Sequence, residues 1–107
     1  MDATQGHALF ERWLIRTYGA STRKGSLGRP AFSGMRDFRA ELESAVHEIS
    51  PKLDAIAQAG TIYHWLATAK PGTLRCPASH IRIAIERMSE GAVPADAWDQ
   101  AVGGEAA

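Results

Sequence analysis

Residues 34–49, GMRDFRAELESAVHEI, leave little choice of local structure. Met35, Phe38, Leu42, Ala45, Val46 and Ile49 recur at spacings of three and four and form a near-heptad seam. Arg36, Asp37, Arg39, Glu41, Glu43 and Glu48 fall mostly off it. Ser33 is a suitable N-cap, since its hydroxyl can accept from a free first-turn N–H. A helix with one such seam has to be covered by other elements, so the rest of the chain must supply a matching apolar surface.

It supplies more helices. Residues 4–18, TQGHALFERWLIRTY, set Leu9, Phe10, Trp13, Leu14 and Tyr18 on one stripe, with Thr4 or Asp2 to cap the start and Gly19 to stop it. Residues 20–33, ASTRKGSLGRPAFS, are rich in Gly, Ser and Pro and are expected as a loop, made basic by Arg23, Lys24 and Arg29. Ser50-Pro51 marks a new helix start, because Pro fits the first helical position, and Gly60 ends that short helix. Thr61 caps the next, TIYHWLATAK, with Ile62, Trp65, Leu66 and Ala69 inward, and Lys70-Pro71-Gly72 closes it. After the connection TLRC, Pro77 and Ser79 open a helix whose inward stripe is Ile81, Ala84, Ile85 and Met88, closed by Gly91. Pro94 begins a last short helix that folds Trp98 back over the core. Residues 102–107 are expected as a disordered tail. The pattern predicts an all-α domain of five to six helices, spanning residues 34–101, with residues 1–19 as an extra helix in front.

Residues 60–98, GTIYHWLATAKPGTLRCPASHIRIAIERMSEGAVPADAW, carry a resemblance. A short helix bearing Trp65, a Pro-containing exit, a helix with Ile85-Glu86-Arg87 and a Gly91-Ala92-Val93 turn follow in the order found in the second half of the helix-turn-helix domain of Cro/CI-type phage regulators, in particular the small YdaS-like members. In most Cro-type sequences the turn glycine stands about nine residues before the Trp. Here that position is Ile56, and Gly60 comes four residues later. The resemblance implies a sequence-specific DNA-binding regulator, a repressor acting on double-stranded DNA as a homodimer. The residues it nominates are Gln58, Thr61, Tyr63 and His64 for base edges and nearby phosphates, because a recognition helix reads with its N-terminal half. Lys70, Thr73 and Arg75 follow the helix as backbone grips, Arg82 is a further candidate, and the basic loop offers Arg23, Lys24 and Arg29 to phosphates. The helix over residues 4–18 is the expected dimer element.

Charge is consistent with this but does not demand it. The net charge is zero, from 12 basic and 12 acidic residues, which excludes a strongly basic nucleic-acid coat. Its distribution alternates, from +4 over residues 1–40 to −3 over 41–60, +2 over 61–90 and −3 over 91–107. A rival reading is a small helical protein-binding inhibitor, antitoxin or adaptor without DNA contact, with Trp13 or Trp98 as an interface anchor.

Enzyme chemistry finds little purchase. His7, His47, His64 and His80 are scattered, and Cys76 with His80 makes only two metal ligands. No phosphate-binding glycine loop follows a strand. No catalytic residue, metal or cofactor is therefore expected. A single cysteine forbids an internal disulfide and suits a reducing cytoplasm. No apolar run approaches the ~20 residues of a membrane span.

Overall fold

The first helix, α1 (Gln5–Tyr18), starts where Thr4 caps it. The Thr4 side chain accepts from the His7 N–H, and the Thr4 N–H donates to the His7 imidazole at 2.9 Å, a reciprocal capping box with histidine in the place usually held by Glu or Gln. Gly19 ends the helix in the left-handed conformation, φ 68°, with its N–H bonded to the Ile15 carbonyl. In this computed structural model, residues 3–24, 30–32, 34–53, 59–67, 69 and 71–101 are described, with the backbone alone for 20–24, 30–32, 59, 60 and 71.

Residues 20–33, expected as a loop, contain a short antiparallel hairpin, β1 (Ala20–Lys24) and β2 (Pro30–Phe32). Ala20 faces Phe32, Ser21 faces Ala31 and Lys24 faces Pro30, with an irregularity between Ser21 and Lys24. Pro30 stands at the first position of its strand, where a missing N–H is tolerated. The ladder adds strand to a chain expected to be wholly α, though the described residues remain mostly helical.

The seam helix, α2 (Met35–Ile49), forms as its periodicity requires, with Phe38, Leu42, Ala45 and Val46 buried. Ser33 lies outside the described residues; Gly34 takes the N-cap position and makes no side-chain cap bond. Helix α4 (Ser79–Met88) packs against α2 and buries Ile81, Ala84 and Ile85. Past its end, Ser89 is buried, donating to the Glu86 carbonyl and accepting from the Val93 N–H, while Gly91, φ 89°, donates to the Glu86 carbonyl.

Between α2 and α4 the structure departs from the expectation. Ser50 is the C-cap of α2, its N–H bonded to the Val46 carbonyl, and in place of the expected helix start its oxygens accept from the Lys52 and Leu53 N–H groups in a turn. Residues 54–58 lie outside the described residues. Helix α3 (Ala59–Tyr63) runs through Gly60, so Gly60 is not its preceding turn and Thr61 is not its cap. Beyond Tyr63 the chain tightens into three-residue turns, His64 to Thr61, Trp65 to Ile62 and Leu66 to Tyr63. The sequence explains the fraying: Gly, Thr, Ile, Tyr, His and Trp in succession are all poor helix formers. Tight winding still puts Ile62 and Trp65 on one side, because residues three apart eclipse in a 3-10 helix. A 3-10 turn follows at Pro71–Thr73, and a second 3-10 helix, Ala95–Asp99, carries Trp98. Among the described residues there are thus four α-helices and two 3-10 segments.

Phe10 is the hub of the core. Its ring lies 5.6 Å from Phe38, 5.6 Å from Trp98, 6.0 Å from Trp65 and 6.1 Å from Trp13. Helix α1 is therefore not an addition in front of a finished domain. Its stripe of Phe10, Trp13 and Leu14 is spent inside the fold. Trp98 is buried, as the expected lid on the core.

Candidate nucleic-acid interface

The nominated residues divide into three groups. Gln58, Lys70 and Arg29 lie outside the described residues. Arg23 and Lys24 belong to β1, which packs against α1. The remaining five, Thr61, Tyr63, His64, Thr73 and Arg75, fall on α3, the turns after it and the connection to α4. Thr61 is exposed, His64 and Thr73 are half-buried, and Tyr63 is half-buried against the core.

One main-chain hydrogen bond draws this last group together. The Arg75 N–H donates to the His64 carbonyl at 2.9 Å, returning the connection to the end of α3. Leu74, buried beside it, pins the chain there. Arg75 itself is exposed, and its guanidinium donates to the Leu74 carbonyl at 3.2 Å. A cation, three hydroxyl side chains and an imidazole thus share the run from α3 to the connection. Arg82 is not part of it. Its Nε donates to the Pro77 carbonyl at 2.9 Å and its Nη1 to Asp99 at 3.1 Å, a brace from α4 to the C-terminal 3-10 helix.

A residue not singled out by sequence stands behind the connection. His7 is fully buried, with Nε2 2.7 Å from the Arg75 carbonyl and Nδ1 2.9 Å from both the N–H and the hydroxyl of Thr4. The only signal in the chain is the Thr-x-x-His spacing at a helix start. Burial pulls the His7 pKa below its ordinary value; the Arg75 bond opposes this, and the Arg82 charge adds to it.

Elsewhere, an open cleft of about 640 Å³ is lined by Thr17, Tyr18, Gly34, Asp37, Ala40 and Glu41. The Tyr18 hydroxyl donates to Glu41, and burial together with that bond pushes its pKa well above the usual range. The cleft is acidic, the wrong sign for phosphate. Burial likewise raises the Cys76 thiol, which donates weakly to the Trp98 carbonyl at 3.8 Å. Among the described residues no three His, Cys, Asp or Glu side chains come together to hold a metal ion, and no helix is long and apolar enough to cross a membrane. Comparison of the chain with family models, with curated proteins and with solved structures finds no match in any of the three.

Proposed function

We propose that the chain is a sequence-specific DNA-binding regulator, a repressor of phage or bacterial type, acting on double-stranded DNA in the cytoplasm. The observation that carries the reading is the return of the Arg75 connection onto the end of α3, where the Arg75 N–H bonds the His64 carbonyl and brings the backbone bearing Thr73 and Arg75 to the turns that follow Thr61. In this reading Thr61 and His64 meet base edges, while Thr73 and Arg75 grip the adjoining phosphates. The order of elements from Trp65 to Trp98, shared with Cro/CI-type regulators, supports the same assignment. Affinity from one half-site is small, so the protein acts as a homodimer on a palindromic operator. Its dimer surface is something other than the apolar stripe of α1, which is already spent.

A second reading has an observation of its own. Among the described residues helix α3 has five, about 7.5 Å at 1.5 Å per residue, short for a reading element in a groove about 12 Å wide. A protein-binding module needs no such helix. The two readings separate by salt. Incubation of the protein with a pool of genomic fragments should enrich one short site, with affinity falling by roughly one logarithmic unit per decade of salt for each phosphate gripped. Replacing Thr61 and His64 together by Ala should cost specific binding about tenfold or more. No enriched site, or undiminished specific binding by the double variant, rejects this placement of the reading surface. The absence of any DNA binding, with a partner protein captured at high salt, establishes the second reading.

A further inference from the structure

We infer that His7 is a proton-sensitive latch: taking up a proton releases the Thr4 cap of α1, while the Nε2–H bond to the Arg75 carbonyl and the core around Phe10 stay in place. The Arg75 carbonyl can only accept, so Nε2, 2.7 Å away, carries the ring proton. The Thr4 N–H can only donate, so Nδ1, 2.9 Å away, presents its lone pair. The two bonds together demand the neutral ring. A second proton on Nδ1 sets N–H against N–H. The Thr4 hydroxyl, also 2.9 Å away, can turn to accept that proton, but the Thr4 N–H is then left without an acceptor.

The partners of the two ring nitrogens, the Thr4 N–H and hydroxyl and the Arg75 carbonyl, carry no charge that would compensate a positive ring. From α4, the Arg82 guanidinium opposes it. From the C-terminal 3-10 helix, Asp99 is paired with Arg82 and Asp96 is exposed. From the connection come the exposed Arg75 and the Cys76 thiol, whose raised pKa keeps it neutral. On α2, Asp37 and Glu41 gather near Tyr18 at the far end of α1, and on α1 itself Glu11 is one turn on. Trp98 closes the remaining side, its ring 5.2 Å away at 74°.

The bonds at stake are peripheral. They join residue 4 to residue 7, whereas Phe10, Phe38, Leu42, Val46 and Ile85 are buried without them. The sign follows from linkage. The open state binds a proton near the ordinary value of 6.5, and the closed state binds it only at lower pH. Closure is therefore complete above pH 6.5 and is lost as pH falls below it. The ratio of open to closed rises about tenfold per pH unit until the closed-state pKa is reached.

The test is amide hydrogen exchange by NMR on the full chain from pH 7.5 to 5, without DNA. The protection factor of Thr4 should fall about tenfold per pH unit below 6.5, while those of Arg75 and of Leu42 to Val46 hold. In His7→Gln, whose amide can serve both bonds without titrating, protection should not depend on pH. Should that variant fail to fold, nitrogen-15 spectra of the wild-type imidazole decide, with the Nε2–H tautomer expected at pH 7.5. An imidazole that titrates near 6.5 with Thr4 still protected overturns the latch. So does loss of protection together with α2, or an acid response kept by His7→Gln.

Discussion

At the scale of single residues, Gly6 shows how closely the fold is fitted. It sits in the first turn of α1 under the Trp98 ring, and a Cβ there would lie 2.4 Å from Cδ2, 2.6 Å from Cγ and 2.7 Å from Cα of Trp98. The last is backbone and cannot swing aside. Alanine gains about 1 kcal/mol of helix propensity over glycine, but overpacking of this kind costs about 1–3 kcal/mol. Gly6→Ala should therefore lower stability by about 1–2 kcal/mol, read by urea unfolding, since a clash with backbone belongs at the upper end of that range. A variant as stable as the parent would mean that Trp98 does not rest on α1. Apolar residues such as Phe10, Trp13, Phe38 and Trp98 were legible in the sequence because periodicity alone assigns them inward. Gly6 and His7 were not, because their roles depend on Trp98 and Arg75, which are remote in sequence.

At the scale of elements, the long amphipathic helices α1, α2 and α4 follow from their stripes, and the failures lie between them. Ile62, Trp65 and Leu66 are buried as their spacing implies, yet that spacing suits a run of tight turns as well as an α-helix. Weak propensity through residues 60–65 decides in favour of the turns. The hairpin was hidden for another reason: its eight residues lack an alternating apolar pattern, and its ladder is a fact about pairing, not about either strand. For the candidate site, the same unwinding shortens the helix meant to present Thr61 and His64, and what joins them to Arg75 is a main-chain bond that no residue type announces. The junction of α4 with the C-terminal 3-10 helix can be dissected directly. Asp99→Ala removes an exposed ion pair and should cost less than about 1 kcal/mol. Arg82→Ala also strips the Pro77 carbonyl of its donor and removes a largely buried stem, so about 1–2 kcal/mol is expected. Equal losses in thermal unfolding would make the ion pair, and not the Pro77 bond, the working part of the brace.

At the scale of the whole molecule, the sequence order misleads about independence. A helix that precedes a recognisable pattern looks detachable, but α1 supplies Phe10, Trp13 and Leu14 to the one aromatic cluster that joins α2, the Trp65 turn and Trp98. Removing residues 1–19 should abolish cooperative unfolding and disperse no amide spectrum, since several large side chains at about 3–5 kcal/mol each exceed the stability of a domain this size. A truncated chain that still melts cooperatively would restore α1 to the status of an appendage. The same interleaving brings the two ends of the path together. The Gln5 N–H donates to the Gln100 carbonyl at 2.7 Å and Thr4 bridges Ala101, so the described chain is almost a closed ring. Whatever is fused ahead of Ala3 or behind Ala101 leaves from the same patch. Two passengers, one on each end, would therefore ride side by side, and a few residues of linker would suffice to make the ring covalent.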